Sequence, residues 1–172
     1  MIFMIRETTK SYAGRQVDLE LLKHVDNPLM FTLPKEVTPN IDEPPRIVSG
    51  IEKAVQRYAK LFLTHIGSVK LAGDVGNTLL HSIGEGKVNN MAELNYQYAV
   101  ANGNALGVLS REDSNAAFGE IPDDERIVRT TLVDLELKRD PLAGGAVHVH
   151  VFIETAAGTG YTLVIPVAAG IS

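Results

Sequence analysis

The hydrophobic pattern of this chain changes period once, near residue 126, and that change points to folds in which helices precede a sheet. Upstream, Ile51, Ala54, Val55, Tyr58, Leu61 and Phe62 recur at spacings of three and four, which is the stripe of an amphipathic helix. Downstream, Val133, Leu135 and Leu137 alternate with Asp134, Glu136 and Lys138. Val147, Val149, Val151 and Ile153 then alternate with His148, His150, Phe152 and Glu154. Period two belongs to a half-buried strand. Asp140-Pro141 and Gly144-Gly145 mark a turn between these runs, and Gly158-Thr159-Gly160 leads into a third run of Tyr161, Leu163, Ile165 and Val167. Three consecutive strands with short turns predict an antiparallel meander, and the fold class expected is α+β.

Before the meander, the chain divides into an N-terminal arm, residues 1–47, and an α+β domain, residues 48–172. The arm carries Asn27-Pro28, Pro34, Pro39-Asn40 and Pro44-Pro45 among short apolar runs. Proline restricts its own φ and pushes its predecessor toward extended conformations, so short strands and turns are expected there, with little private core. Ser49 and Glu52 have the spacing of a capping box at the start of the first helix, and Gly67 is a stop signal behind Thr64. A short second helix is expected over Asn77–Ile83. A third begins at Asn90 and carries Met91, Leu94, Tyr98, Ala101, Ala105, Val108 and Leu109 at helical spacing. Gly103 and Gly107 weaken it by about 1 kcal/mol each if they lie in its interior. Residues 111–125 read as a polar loop.

Of the 172 residues, 45% are hydrophobic and 22% charged, the balance of a soluble globular protein. There is no cysteine, which rules out disulfides, thiolate metal sites and a cysteine nucleophile and fits an intracellular place of assembly. Sixteen basic against 21 acidic residues leave a net charge of −5 with no basic cluster, so nucleic acid is not an expected partner. No apolar run approaches the roughly 20 residues of a membrane span. Met1–Lys10, with Arg6 as its early cation and no small-residue cleavage site, does not read as a signal peptide.

Enzyme signatures are sparse. His148 and His150 share one face of a strand, but a zinc site needs a further ligand, so they read as a solvated or interface face and no metal or cofactor is expected. A glycosidase needs two carboxyls about 5–10 Å apart across a cleft, one with a raised pKa. Glu52, Asp74, Glu93, Asp123, Asp124 and Glu125 are the candidates, and none belongs to a pair with evidently apolar surroundings. Glu52 is accounted for as a cap, and residues 123–125 as a solvated or salt-bridging segment. Neither a nucleophile elbow nor a phosphate loop is present; Gly73 and Gly76 signify a tight turn. Tyr96 and Tyr98 could stack on bases, but Tyr98 fits the core stripe.

The segment Val48-Ser49-Gly50-Ile51-Glu52-Lys53-Ala54-Val55-Gln56-Arg57 resembles the opening of the baseplate assembly protein W-like family, also labelled gene twenty-five-like lysozymes. The likeness continues through Lys60-Leu61-Phe62-Leu63-Thr64, Gly67-Ser68 and Asp74-Val75-Gly76-Asn77-Thr78-Leu79. The family pattern is a glutamine-bearing helix, a leucine-threonine-x-x-glycine turn and an aromatic-glycine-x-x-leucine step; Val75 stands where the family has tyrosine or phenylalanine. A Glu-Pro-Arg motif leads into the family's first strand. Its counterpart here is Asp124-Glu125-Arg126-Ile127, with the arginine kept, the acid shortened and the proline lost. The resemblance spans roughly residues 46–168, with a longer central insertion around 88–121.

What the resemblance implies is a structural wedge component of a contractile phage-tail baseplate, part of the virion and assembled in the host cytoplasm. Its partners would be the larger wedge proteins and the tail sheath protein, in multiple copies within a symmetric hetero-oligomeric assembly. Asp124, Glu125 and Arg126 are the expected wedge contact. Val147, Val149, Val151, Ile153, Tyr161, Leu163 and Ile165 form the expected edge for sheath strand addition, since an open strand edge templates an incoming strand. Residues 1–47 are expected to lie along another subunit. The competing readings are a peptidoglycan-degrading glycosidase, from the family label, and a free-standing binding module.

Overall fold

The computed structural model describes residues 17–24, 35–39, 46–69, 75–85, 87–88, 90–115, 120–140 and 144–169. Four short strands come first: β1 (Asp18–Leu19), β2 (Leu22–His24), β3 (Lys35–Pro39) and β4 (Ile47–Val48). Three helices follow, α1 (Ile51–Leu63), α2 (Leu79–Gly84) and α3 (Met91–Asp113), and then the long strands β5 (Ile127–Asp140), β6 (Gly144–Thr155) and β7 (Gly160–Ala169). The layout is α+β: helices packed on an antiparallel β5–β6–β7 meander. Strands β3 and β2 extend that meander into a sheet of order β2-β3-β7-β6-β5, with β3 parallel to β7.

The core lies between the helices and one face of the sheet. Val149, Val151 and Ile153 of β6, with Leu163 and Ile165 of β7, pack against Val55, Tyr58 and Phe62 of α1. Leu79 and Ile83 of α2 and Leu94, Tyr98 and Leu109 of α3 complete it. The stripe read from α1 is therefore the buried one. The alternation read from β6 holds from His148 onward: Val149, Val151 and Ile153 are buried, whereas His148, His150 and Phe152 are half-buried on the opposite face, and the side chain of Val147 lies outside the described residues.

Several local expectations are corrected. Helix α1 is capped by Gly50 at φ 63° with no side-chain cap, so Ser49 and Glu52 do not make the box. At α3 the capping residue is as expected, Asn90 Oδ1 accepting the Glu93 amide at 2.8 Å. This helix runs unbroken through Gly103 and Gly107 to Asp113. Both glycines are on its exposed side, and Leu94, Tyr98, Ala101, Ala105, Val108 and Leu109 anchor the other. Met91 is 55% exposed and so leaves the core list.

Val133 is also outside the core, at 59% exposed. Register shifts fall between Ile127 and Arg129 and between Leu132 and Asp134, so Val128 and Val133 are the extra residues of two bulges. Leu132 faces Val151 and Leu135 faces Val149. The second bulge thus shifts the register by one residue between these two pairs.

The junction after α1 depends on Asn77, which is 6% exposed. Its Nδ2 donates to the Phe62 carbonyl at 2.7 Å, satisfying one orphan acceptor of the helix end. Its backbone amide donates to the Thr64 carbonyl, and its own carbonyl accepts from Ile66. This closure brings Gly76 against the chain: at φ 109°, an added Cβ would sit 2.5 Å from the Thr64 carbonyl oxygen. Gly76→Ala is expected to cost at least about 2 kcal/mol, measurable by urea denaturation. Gly67→Ala, at φ 78° but with open space around it, should cost less.

Candidate functional site

The segment expected to meet a wedge partner folds into a turn between α3 and β5. The amides of Glu125 and Arg126 both donate to the Pro122 carbonyl, and Ala156 and Ala157 donate to the carbonyls of Arg126 and Asp123. That pins the turn to the β6–β7 hairpin. Glu125 then points inward and is 2% exposed. Its Oε2 accepts from Lys53 Nζ at 2.8 Å and its Oε1 from the Gly50 amide at 3.2 Å. Lys53 is itself nearly buried, with 10% of its side chain exposed. Glu125 therefore joins the turn to the start of α1 and is withdrawn from any surface contact, correcting its assignment to the partner face. Arg126 points outward, 52% exposed, and pairs with Asp123; Asp124 is half-buried.

The described parts of the N-terminal arm are built into this chain's own fold, contrary to the expectation that the arm follows another subunit. Gln56 holds residues 18–21 with both N–H groups and the oxygen of its side-chain amide. Its Oε1 accepts the Leu21 amide at 2.5 Å, and its Nε2 donates to the Leu19 carbonyl at 2.6 Å and to Asp18 Oδ2 at 2.9 Å. Lys60 adds an ion pair to Asp18, and Arg46 grips Glu20 through two nitrogens at 2.7 Å each. Burial raises the Asp18 carboxyl, but the hydrogen bonds from Lys60 and Gln56 outweigh it, and the group is held below its ordinary value of 3.8.

A depressed carboxyl stabilises the fold above its unfolded pKa and loses that contribution as pH falls through the folded one. The Gln56 side-chain amide resonances are accordingly expected to stay fixed down to about pH 4 and to shift below it. A Lys60→Ala chain should begin that shift at higher pH, and identical titrations of the two chains would contradict the assignment.

The proposed strand-addition residues fall on two strands in different situations. Strand β6 is central, paired with β5 along one side and β7 along the other from Gly145 to Glu154. Val147, Val149, Val151 and Ile153 are therefore not at an edge, because both sides of their backbone are already hydrogen-bonded. On β7, Tyr161 and Leu163 are covered by β3, whose register with it runs from Lys35–Tyr161 to Val37–Leu163. Ile165 lies beyond that register. Among the described residues, β5 is the long outer strand of the sheet, paired along its β6 side only. Val128 and Val133 stand exposed along it, at 58% and 59%.

The catalytic candidates do not converge. Glu52 lines a small cleft with Glu20, Leu22, Val48, Val55, Gln56 and Tyr161. The space inside, about 10 Å³, has room for about one water, against several hundred Å³ for an ordinary ligand pocket. Glu20 is occupied by Arg46, and Glu125 by Lys53. Glu93 is at the exposed start of α3, and Asp123 is paired with Arg126; Asp74 and Gly73 lie outside the described residues. His148 and His150 have ring centres 6.5 Å apart. Among the described residues no group of three or more metal-binding side chains gathers, and no described helix is long and apolar enough to cross a membrane.

The described geometry thus defines an α+β domain with an internal ion pair, a clamped N-terminal strap and one long outer strand. Comparison with protein-family models, curated proteins and solved structures gives no significant match to this chain. A reading of function therefore rests on these residues and on the motif resemblance above.

Proposed function

We propose that this chain is a structural component of a contractile-tail baseplate wedge, in which partner proteins dock on the 122–126 turn and on the margin of the sheet. The observation that carries the reading is β5, a 14-residue strand paired on its β6 side. Unpaired strand margins offer main-chain donors and acceptors to an added strand. The bulges at Val128 and Val133 interrupt regular pairing along the first part of β5, so the regular stretch from Asp134 to Asp140 is the template for a sheath strand. Residues of β7 beyond Leu163, Ile165 among them, form the corresponding stretch on the opposite strand of the meander.

Arg126 is the charged group of the wedge contact, since guanidinium suits bidentate capture of a partner carboxylate. It would exchange its surface pairing with Asp123 for one across the interface. Arg126→Ala is expected to leave thermal stability within about 0.5 kcal/mol while preventing co-purification with the wedge proteins.

The edge reading is tested with Val128→Lys/Val133→Lys and with Asp134→Pro, each mixed with purified sheath subunits. The lysine pair, placed on exposed positions, is expected to leave the fold intact and capture little changed. Proline in the regular stretch should abolish capture. Normal sheath assembly on a folded Asp134→Pro chain would overturn the proposal. The glycosidase reading is tested separately by peptidoglycan turbidity: clearing that disappears with Glu20→Gln or Glu52→Gln would establish it in place of the structural role.

A further inference from the structure

The strap formed by residues 17–22 is held in the manner of a bound peptide. Gln56 bonds the Leu19 carbonyl and the Leu21 amide, two groups that project from the same side of an extended chain, as a neighbouring strand would. On the opposite side, the Glu20 amide donates to the Arg46 carbonyl at 2.6 Å, and Asp18 and Leu19 stand in register with Val48 and Ile47. A helix-borne amide on one side and β4 on the other thus make a slot for main chain.

Side chains add a sequence requirement. Those directed inward are Asp18, met by Lys60; Glu20, met by Arg46; and Leu22, 8% exposed in the socket of Val48, Val55 and Tyr161. The intervening Val17, Leu19 and Leu21 are 45%, 58% and 46% exposed. The slot therefore reads an extended segment of the pattern acid-x-acid-x-leucine and leaves the alternate residues free to vary. The two carboxylates of the strap each meet a cation, Lys60 and Arg46, and its backbone meets an uncharged amide, while the slot's own acid, Glu52, lines the end that takes Leu22.

We infer that this slot is a peptide-recognition site whose occupant in an assembly of many copies is the residue 17–22 strap of a second copy of this chain. A strap from another copy, exchanged together with β2, which begins at Leu22 and pairs with β3, makes contacts identical to the resident one, so exchange costs chiefly association entropy. High local concentration among neighbouring copies offsets that cost. The inference rests on the proposed multi-copy assembly, but slot and strand margin share no residue, so its failure and that of the β5 reading are distinguishable.

Complementation tests it. Asp18→Ala/Glu20→Ala keeps the slot and spoils the strap; Gln56→Ala/Lys60→Ala keeps the strap and spoils the slot. Each full-length variant alone should be monomeric by light scattering, and the mixture should give a one-to-one complex of twice the single-chain mass. A labelled peptide of residues 17–22 provides the second arm. It should bind the Asp18→Ala/Glu20→Ala chain at least about tenfold more tightly than the natural chain, whose slot is filled. The peptide with asparagine and glutamine for its two acids should not bind. Folded variants that stay separate on mixing would overturn the inference. If either variant fails to fold, the peptide is photo-cross-linked to the natural chain instead: capture beside Gln56 by the acidic peptide alone supports the site, and equal or absent capture overturns it.

Discussion

Replacing Lys53 with alanine is expected to destabilise the protein by about 3–5 kcal/mol, the cost of leaving a buried carboxylate without its counter-charge. Glu125 is 2% exposed and has Lys53 Nζ at 2.8 Å and the Gly50 amide at 3.2 Å. Without the lysine it retains one backbone donor for a full negative charge. Glu125→Gln should cost less in the same denaturation experiment, because the amide oxygen still accepts from Gly50 and no lone anion is buried. Lys53→Met combined with Glu125→Leu should recover most of the loss, since removing both charges also removes both desolvation costs. A single Lys53→Ala loss under about 1 kcal/mol would mean that the pair is not buried as described.

Phe62→Ala is the second large effect, with an expected loss of about 3–5 kcal/mol. The ring is fully buried, stacked on Tyr58 at 5.6 Å and tilted against Tyr98 at 5.8 Å. Deleting it removes the common neighbour of α1 and α3 and leaves a void that two rigid tyrosines fill poorly. Phe62→Leu retains most of the apolar volume and should cost appreciably less. The chain lacks tryptophan, so near-ultraviolet circular dichroism reports mainly on tyrosine packing. A weakened tyrosine signal with unchanged far-ultraviolet helicity is expected for Phe62→Ala, and an unaltered midpoint in urea would contradict the packing described.

Tyr58 illustrates how such a core accommodates a polar tip. Its hydroxyl donates to Asn102 Oδ1 at 2.8 Å, and Thr130 donates to the same oxygen at 2.9 Å, tying α1, α3 and β5 together. Burial pushes the Tyr58 phenol far above the usual tyrosine range, so it stays neutral wherever the fold persists.

How much could be read in advance depended on how local the signal was. The α1 stripe, the Asn90 cap and the alternation in β6 are properties of neighbouring residues, and each appears in the structure. Alternation assigns Val133 to the core because it assumes an unbroken strand; the bulge that shifts it out is defined only against β6. The spacing of Ser49 and Glu52 suggests a capping box, yet Gly50 caps the helix, and the acid that matters there is Glu125, 75 positions from Gly50. No spacing rule relates residues that far apart. Gln56 was visible as part of a motif, but its task was not, because the groups it binds belong to the arm.

The order and type of the main elements follow from the residue pattern, because helix and strand periods arise from backbone geometry acting over a few residues. Tertiary structure alone decided which strand is central and which is outermost, where Glu125 finds its cation, and that residues 17–22 return to α1. Those outcomes depend on hydrogen-bonding and charge partners supplied by remote segments, and a buried donor or carboxylate is stable only where such a partner has been brought to it.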